Sequence, residues 1–387
     1  MRIDADVIIA GAGCAGLSLA RRLVPMGPSV ALVDPRTHYD DDRTWCFWAA
    51  GDHPFRDLVS HRWARWAVSA GADVVVREAA PYFYERLPAG AFYADSETRL
   101  AGAPNLAWHR GVRVLGASVD ASEAHVAVET SAGVLRAKRF VDTRPTAPWA
   151  PMEGRGPALT QRFVGWTVRT AAPAFDPSTA ILMAFGAPDP RGVAFTYVLP
   201  LSTRGALLED TWFTAGEIDA DEHRARLRAE LHRRGIADAE ILREERGALP
   251  MAVGRFAPRT HWRIAHAGLV GGAARPATGY AFQAIQRQTA ALADELRDPN
   301  SRPARIASPR PAWIEALDAT FLEALRADPT AAPDLFLRLF RRVPADALVR
   351  FLSETARPSD ALHVIRALPV SPLSKAAFRA YFSSSSP

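Results

Sequence analysis

The stretch Asp6-Val7-Ile8-Ile9-Ala10-Gly11-Ala12-Gly13-Cys14-Ala15-Gly16 joins a short apolar run to a complete GxGxxG pattern. Four consecutive apolar residues before the first glycine predict a buried strand, and the apolar spacing of residues 17–23 predicts a helix. Residues 29–33 then predict a second strand, which ends at Asp34. Strand, glycine turn, helix, strand and acid in this order are typical of a dinucleotide-binding βαβ unit.

Each part of this unit has a mechanical role in holding a dinucleotide. Gly11, Gly13 and Gly16 permit the tight turn, the close approach of a pyrophosphate and the packing of helix on strand. The free N–H groups at the helix N-terminus attract phosphate. Asp34, 18 residues after Gly16, can hold the hydroxyl groups of the adenosine ribose. The competing interpretation is a glycine-rich turn in an ordinary α/β unit, and Cys14 is interpreted as a small filler rather than a redox thiol.

A second glycine-rich segment, residues 268–280, favours FAD over NAD as the dinucleotide. Its pattern predicts a strand, an open loop and then a helix. A helix that begins near Gly279 can direct its N-terminus at a flavin ring and stabilise negative charge on a reduced flavin.

Composition limits the architecture and the class of protein. The chain has 387 residues, 48% of them apolar and 23% charged, which fits two or three packed layers, or two domains, and excludes a mainly disordered chain. The longest apolar runs have six residues, at 45–50 and 180–185, whereas a membrane-spanning helix needs about 20. The first residues lack the pattern of a signal peptide, and two cysteines cannot form a disulfide framework. We therefore expect a cytoplasmic protein.

Net charge is concentrated near the end of the sequence. Residues 301–387 contain 12 basic and 8 acidic residues, so they carry +4 of the total of +5. We expect an anionic partner for this region, with lipid and nucleic acid both possible, and we expect no metal. One predicted helical face there is apolar and lies beside arginines, which fits either packing on the core or a surface that faces a membrane. Its members are Leu335, Phe336, Leu339, Phe340 and Val343, beside Arg338, Arg341 and Arg342.

The middle of the sequence is mostly strand-like. Three alternating segments between residues 113 and 141 predict a small meander, after which residues 141–144 return the chain to the main parallel sheet. Four further segments predict an antiparallel sheet: Phe163–Arg169, Ala180–Phe185, Val193–Leu199 and Ala206–Thr214. Asp219 or Asp221 is predicted to cap a helix that runs through Leu231.

The fold class that these segments predict is α/β. A Rossmann-type FAD-binding domain, as in glutathione reductase and flavin hydroxylases, is joined to an antiparallel-sheet substrate domain and a helical C-terminal region. The predicted boundaries are 1–80, 100–150 and 255–300 for the discontinuous FAD-binding domain, 81–99 and 151–254 for the substrate domain, and 301–387 for the helices. Residues 298–311 are predicted to form a linker.

Two adjacent carboxylates, Glu209 and Asp210, lie within an apolar predicted strand. Because neighbouring strand residues face opposite sides, Glu209 shares a face with Thr211, and Asp210 shares one with Trp212. A carboxyl group buried among aromatic residues keeps its proton more readily, which suits a general acid. A carboxylate at a surface edge is the commoner explanation of this pattern.

Taken together, these motifs resemble the flavin-dependent lycopene cyclases, in particular their bacterial β-cyclase branch, over most of the chain. The resemblance rests on five motifs: Gly11–Gly16 with Asp34-Pro35, Arg43-Thr44-Trp45, Leu208-Glu209-Asp210-Thr211, Pro250-Met251-x-x-Gly254, and Arg275-Pro276-Ala277-Thr278-Gly279-Tyr280. Related flavin hydroxylases have Gly-Asp-Ala-Ala-His in the late loop. This chain has Gly271-Gly272-Ala273-Ala274-Arg275 there, without the aspartate.

The resemblance implies an acid-catalysed cyclisation of the ψ ends of lycopene to β-ionone rings, through γ-carotene to β-carotene, without net redox change. It implies reduced FAD as the active cofactor, NAD(P)H as the reductant, and an intramolecular lyase or isomerase. Because lycopene dissolves in lipid, the resemblance implies peripheral association with the inner face of the cell membrane, and a lipid surface rather than nucleic acid as the anionic partner. The alternative is an FAD-dependent monooxygenase or prenyl reductase that acts on an isoprenoid or aromatic substrate.

The resemblance also implies roles for individual residues. Glu209 would be the general acid and Asp210 its support, while Trp45 and Trp212 would stabilise a cation. The cofactor would be held by Gly11, Gly13, Gly16, Asp34, Arg43, Pro276, Thr278, Gly279 and Tyr280.

Overall fold

The computed structural model describes residues 3–145, 158–254, 256–303 and 310–382. The strands are β1 (Ala5–Ala10), β2 (Val30–Asp34), β3 (Thr44–Ala50), β4 (His61–Trp63), β5 (Arg65–Ala70), β6 (Asp73–Glu78), β7 (Tyr82–Pro88), β8 (Leu106–Arg110), β9 (Val114–Val119), β10 (Val126–Thr130), β11 (Gly133–Asp142), β12 (Ala158–Thr170), β13 (Thr179–Phe185), β14 (Gly192–Pro200), β15 (Gly205–Thr214), β16 (Ala239–Ala252), β17 (Arg259–His261) and β18 (Ile264–His266). The helices are α1 (Cys14–Leu23), α2 (Ala89–Leu100), α3 (Ala220–Arg233), α4 (Phe282–Leu296), α5 (Ala312–Ala327), α6 (Ala332–Arg342), α7 (Ala345–Leu352), α8 (Pro358–Ala367) and α9 (Val370–Phe382). Part of the predicted linker, residues 304–309, lies outside the described residues.

The predicted βαβ unit is confirmed. β1 lies between β2 and β11 and runs parallel to both, so residues 141–142 do return to the main sheet. The order β17-β18-β11-β1-β2-β8 forms its path, and the meander of β9 and β10 extends from β11. Val7, Ile8 and Ile9 are fully buried, as expected for a parallel strand covered on both faces.

The four strands predicted for the second sheet are also confirmed. They lie side by side in the order β12-β15-β14-β13, each antiparallel to the next, within a larger sheet ordered β16-β12-β15-β14-β13-β5-β6. Asp219 caps α3, which packs on the outer face of this sheet. The predicted fold class, a Rossmann-type sheet with an antiparallel sheet and C-terminal helices, is therefore correct.

The structure places two segments differently from the predicted domain boundaries. Residues 65–78, predicted to belong to the nucleotide-binding domain, form β5 and β6 and pair with β13 in the large sheet. Residues 89–100, predicted to belong to the substrate domain, form α2, and its Phe92 and Tyr93 belong to the core around α1. Short strands do not encode their partner locally, because pairing depends on distant segments and register.

A small sheet, ordered β3-β7-β4, connects the two cores. Alternation along β3 sends Phe47 into the core around α1, whereas Trp48 packs in the core between the large sheet and the C-terminal helices. One strand thus contributes side chains to both halves of the molecule.

The apolar face predicted at residues 335–343 packs on the core rather than on a membrane. α6 lies against β5 and β6, and the five apolar side chains of that face are all buried. Its arginines are partly neutralised, since Arg338 pairs with Asp334 and Arg341 pairs with Asp73. Within the described part of the chain, no helix is long and apolar enough to cross a bilayer.

Candidate functional site

The N-terminal glycine turn has room for a phosphate at one position. Gly11 has a φ of +95°, which only glycine adopts readily. A Cβ on Gly16 would lie 1.8 Å from the Gly11 carbonyl oxygen, so α1 can approach β1 only without a side chain there. Among the residues that the structure describes, no atom lies within 4 Å of a Cβ placed on Gly13, and no side chain caps α1. The first N–H groups of the helix therefore border open space, which fits a pyrophosphate.

Asp34 lies beside this turn, as predicted. Its buried carboxylate accepts a hydrogen bond from the Ala12 N–H at 2.5 Å and another from the Arg36 N–H at 2.8 Å. The Arg36 guanidinium donates to Oδ1 of the same carboxylate at 3.1 Å and to the Ala12 carbonyl at 3.0 Å. The acid and the arginine together fix the turn, and Oδ2 retains a lone pair for a further donor. Burial raises the pKa of the Cys14 thiol to about 12, which agrees with its interpretation as a filler.

The second glycine-rich segment forms a closed turn ahead of α4. The Gly279 N–H donates to the Arg275 carbonyl at 2.8 Å, and the Arg275 N–H donates to the Tyr280 carbonyl at 2.9 Å. Gly279 has a φ of +71°. The helix begins at Phe282 rather than near Gly279, because that left-handed conformation is not helical. The strand predicted at the start of the segment is a turn, since β18 ends at His266.

This turn rests on the inner face of the large sheet. A Cβ on Gly279 would lie 2.1 Å from the side-chain oxygen of Gln161, on β12. That oxygen is buried and has no hydrogen-bond partner among the described residues. Glycine is required at position 279 because the backbone of the turn lies directly against the Gln161 side chain of the sheet.

Arg275 anchors the turn to the C-terminal helices. Its fully buried guanidinium pairs with Asp318 on α5 at 2.8 Å and donates to the Phe351 carbonyl on α7. Thr278 uses its hydroxyl inside the turn, as acceptor of the Tyr280 N–H at 3.3 Å. Arg43, by contrast, lies near the surface, with half of its side chain exposed and two hydrogen bonds to Asp42.

Glu209 projects from β15 onto the inner face of the large sheet, the face that packs against the C-terminal helices. Its neighbours across the strands are Tyr197 on β14 and Gly165 on β12. The Thr211 hydroxyl donates to its Oε1 at 2.9 Å. Burial raises the pKa of Glu209 to about 8, and the carboxylate of Glu245 adds to the rise while the Thr211 bond opposes it. Near neutral pH this side chain is therefore a protonated acid.

Glu245, a residue that the sequence reasoning missed, lies on the same face two strands away. Gly165 on β12 is the cross-strand partner of Glu245 on one side and of Glu209 on the other. A Cβ on Gly165 would lie 3.1 Å from the Cγ of Glu245 and 3.5 Å from the Cβ of Glu209, so both glutamates use the space that glycine leaves. Arg243 donates to the Glu245 carboxylate at 2.7 Å, and the Thr44 hydroxyl donates at 3.2 Å. The sequence feature that could have revealed Glu245 is the adjacent pair Glu244-Glu245, which lies on β16.

Aromatic side chains form one wall next to this face. The ring of Trp48 lies 4.7 Å from that of Tyr84 and 5.4 Å from that of Tyr280. The two tyrosine hydroxyls are 3.4 Å apart, and burial holds the pKa of each well above its usual value. Beside them a small cleft is lined by Cys46, Phe47, Trp48, Tyr280, the first turn of α4 and residues 352–354. Tyr280 lies near enough to Glu209 for the two groups to interact electrostatically, so this wall is part of the surroundings of the candidate acid.

A family model described as lycopene cyclase protein matches residues 6–378 of this chain. The chain belongs to the lycopene cyclase family. It is 26% identical to a lycopene beta-cyclase of Pantoea ananas, over 95% of this chain and 96% of that protein. It is 28% identical to a lycopene beta-cyclase of Paracoccus sp. over 96% of both chains.

Solved structures share the fold of this lycopene cyclase family member. A geranylgeranyl bacteriochlorophyll reductase-like protein from Thermoplasma acidophilum aligns with a TM-score of 0.59 at 13% identity, over 98% of this chain and 97% of its own. The flavin-dependent monooxygenase PieE, in complex with FAD and substrate, aligns with a TM-score of 0.59 at 16% identity, over 98% of this chain and 72% of its own.

In this lycopene cyclase family member, the other predicted catalytic residues lie away from Glu209. Asp210 is fully buried on the opposite face of the sheet, where it binds His223 and Arg226 of α3, each at 2.8 Å. Trp212 lies on that side too and donates to Asp210 at 3.1 Å. Trp45 packs its ring in the core around α1. Among the four, only Glu209 lies on the inner face of the large sheet. Trp48, on the other side of β3 from Trp45, packs in the core at that face.

Proposed function

We propose that the protein is a lycopene β-cyclase that binds FAD and converts the ψ ends of lycopene to β-ionone rings in carotenoid biosynthesis. The observation that carries this proposal is the position of Glu209 on the inner sheet face, near aromatic side chains, in surroundings that raise its pKa and favour the protonated acid. Acid, π faces and membership of the lycopene cyclase family support the same reaction. Such an enzyme is an intramolecular lyase or isomerase.

The chain's own residues account for the proton and the cation. Glu209 donates its proton to a terminal double bond of lycopene and leaves a tertiary carbocation on the substrate. The π faces of Trp48, Tyr84 and Tyr280 stabilise that charge, and the neighbouring double bond closes on it. A proton then leaves the new ring, so one proton enters and one departs. Atoms and electrons therefore balance without net oxidation.

FAD fits the residues that are present. The open space at Gly13, the uncapped start of α1 and the carboxylate of Asp34 would hold the pyrophosphate and ribose. The turn at residues 276–280 would face the flavin, with Arg43 at the entrance to the site. When bound in its reduced form, the flavin supplies negative charge next to the cation, and NAD(P)H is the reductant that we propose for it.

The proposed acid makes the rate dependent on pH. Cyclisation should be fastest at low and neutral pH and should fall as the pH rises through about 8, because only protonated Glu209 can donate. Glu245→Gln removes a negative neighbour, so the pKa of Glu209 should fall and the basic limb should move by roughly one unit to lower pH. The pH profile of kcat for both proteins measures this. A limb that stays in place in Glu245→Gln would exclude Glu245 from any role in holding that proton.

The function is tested by incubating the purified protein with lycopene, FAD and NADPH without oxygen. Pigment chromatography should show γ-carotene and then β-carotene, and NADPH consumption should not rise in proportion to product. The second candidate, a monooxygenase or prenyl reductase, is favoured only by the fold shared with such enzymes. Either one would consume NADPH with each product formed, and the monooxygenase would also need oxygen.

The proposed substrate class also supports a location at a membrane. A C40 hydrocarbon partitions into lipid, so we propose peripheral association with the inner face of the cell membrane. The net charge of +4 on residues 301–387 supports an anionic surface as the partner.

A further inference from the structure

An acid at Glu209 must regain a proton after each ring that it closes, so the site needs a route for protons. The hydrocarbon substrate carries no exchangeable proton and would displace water from the space in front of the carboxyl group. Thr211 is the one side chain that forms a hydrogen bond with Glu209 in the described ranges, and its hydroxyl has no second partner there. A hydroxyl that contacts only Glu209 cannot pass on a proton from elsewhere.

Three tyrosines supply further hydroxyl groups next to Glu209. Tyr197 on β14 is its cross-strand neighbour, and the Cβ atoms of such a pair lie about 5 Å apart. Tyr280, in the turn ahead of α4, has its hydroxyl 3.4 Å from that of Tyr84 on β7. All three side chains pack in or against the core between the large sheet and the C-terminal helices. Their hydroxyls therefore lie in one region, beside the candidate acid.

Tyr280 links Tyr197 to Tyr84. Burial holds the pKa of Tyr197 well above its usual value, and the charges of Tyr280 and Glu209 and a hydrogen bond to the Tyr280 hydroxyl add to the rise. Since phenols in these surroundings hold their protons firmly, none of them ionises near neutral pH. A proton can therefore pass along them only if each hydroxyl gives up one proton as it receives another.

Tyr280 also borders a route to solvent. It is a lining residue of the small cleft, together with Arg287 and Glu354. Those two side chains form an ion pair at 2.6 Å, and 47% of the Arg287 side chain is exposed. The cleft therefore connects Tyr280 with water at the surface of the protein.

We propose that the hydroxyls of Tyr197 and Tyr280, here called the tyrosine relay, return a proton to Glu209 after each cyclisation. The Glu209 carboxylate takes the proton of Tyr197, which takes that of Tyr280, which takes one from water in the cleft. The proton released by the new ring neutralises the hydroxide that remains, so charge and atoms balance. Tyr84 is a positioning residue, because its hydroxyl orients that of Tyr280. This inference rests on the proposed function.

The test compares the first ring with later rings in Tyr197→Phe and Tyr280→Phe, which keep the aromatic ring and lose the hydroxyl. With enzyme in excess over lycopene, Glu209 already holds its proton, so the first ring should form within about twofold of the wild-type rate. In multiple turnover, kcat should fall at least about tenfold. If the Glu209 carboxylate instead recaptures the proton of the new ring, kcat persists and the product formed in D2O should contain less than one deuterium per ring.

Tyr82→Phe is the matched control. Tyr82 lies on β7 two residues before Tyr84 and packs against the same core, but its hydroxyl forms no hydrogen bond with any residue that the structure describes. This variant should keep the wild-type kcat and deuterium content. A first ring slowed as much as later rings in both relay variants would overturn the relay, because the hydroxyls would then act on cyclisation itself. Wild-type kcat with one deuterium per ring in both would overturn it too.

Exchange of the Glu209 proton separates this proposal from the proposed function, because it needs no substrate. In the FAD-loaded protein near neutral pH, the infrared carboxyl band that is absent from Glu209→Gln should shift on transfer to D2O. The shift should be at least about tenfold slower in Tyr280→Phe than in wild type. Equal rates in the two proteins would overturn the relay. If exchange slows as expected but wild type cyclises no lycopene, the proposed function fails and the relay stands.

Discussion

Glu209→Gln should abolish cyclisation, by at least about 10³-fold in kcat, while the protein stays folded and keeps its capacity to bind FAD. Glutamine is nearly isosteric and can still accept the hydrogen bond from Thr211, but it has no acidic proton to donate. Pigment analysis after incubation with lycopene measures the loss, and flavin absorbance of the purified variant measures the cofactor. Full activity in Glu209→Gln would remove this residue as the acid.

The same substitution should change stability in a pH-dependent way. The folded protein holds a proton on Glu209 up to about pH 8, whereas the unfolded chain releases it near 4.5. The native state therefore binds more protons within that window, and wild-type stability falls as the pH rises through it. Glu209→Gln removes this dependence, so its Tm should exceed that of wild type at pH 8 and approach it at pH 4.

The adjacent carboxylate is the matched control, because its surroundings differ completely. Asp210→Asn leaves Arg226 and His223 without their buried partner and should destabilise the fold by about 3 kcal/mol. The residual folded protein should cyclise lycopene at close to the wild-type rate. Denaturant unfolding and the specific activity of the folded fraction measure the two effects. A catalytic loss in Asp210→Asn as large as that in Glu209→Gln would contradict the placement of the two carboxylates on opposite faces of the sheet with different roles.

The second large effect is expected at the N-terminal glycine turn. Gly13→Val should fold normally, since Gly13 has an extended backbone and open space around its Cβ position, but it should bind FAD at least ~100-fold more weakly. The added side chain would occupy the place of the pyrophosphate. Fluorescence titration with FAD and thermal unfolding of the apoprotein separate binding from stability.

Gly16→Ala is the contrasting variant at the same turn. Its Cβ would lie 1.8 Å from the Gly11 carbonyl oxygen, so α1 must move away from β1 and the apoprotein itself should be destabilised. Normal flavin absorbance in Gly13→Val, or an apoprotein of wild-type stability in Gly16→Ala, would refute these distinct roles of the two glycines.

Features with local signals could be predicted from the sequence. The βαβ unit follows from a contiguous run of strand, glycine turn and helix, and the four strands of the large sheet follow from alternation between turn residues. Alternation along β15 likewise predicts that Glu209 and Asp210 lie on opposite faces of the sheet. Each of these features depends on residues that are neighbours in the chain.

Features that depend on register could not be predicted. Glu245 lies near Glu209 only because β12 runs between their strands and places Gly165, which has no side chain, between the two glutamates. Packing of β3 between two cores decides which of its side chains point toward the inner face of the large sheet. Trp48 lies on that side of β3, whereas Trp45 lies on the other. Likewise, the periodicity of α6 and of α8 is similar, and only tertiary packing shows which apolar face is covered.

The most direct test of acid catalysis by Glu209 is cyclisation in D2O, with lycopene, FAD and NADPH under exclusion of oxygen. The Glu209 proton exchanges with solvent, so each ring should gain one deuterium from the acid while a substrate proton departs. Mass spectrometry of the β-carotene should therefore show one additional mass unit per ring, and Glu209→Gln should yield no labelled product. A cyclic product without deuterium, or a product that contains oxygen, would contradict acid-catalysed cyclisation.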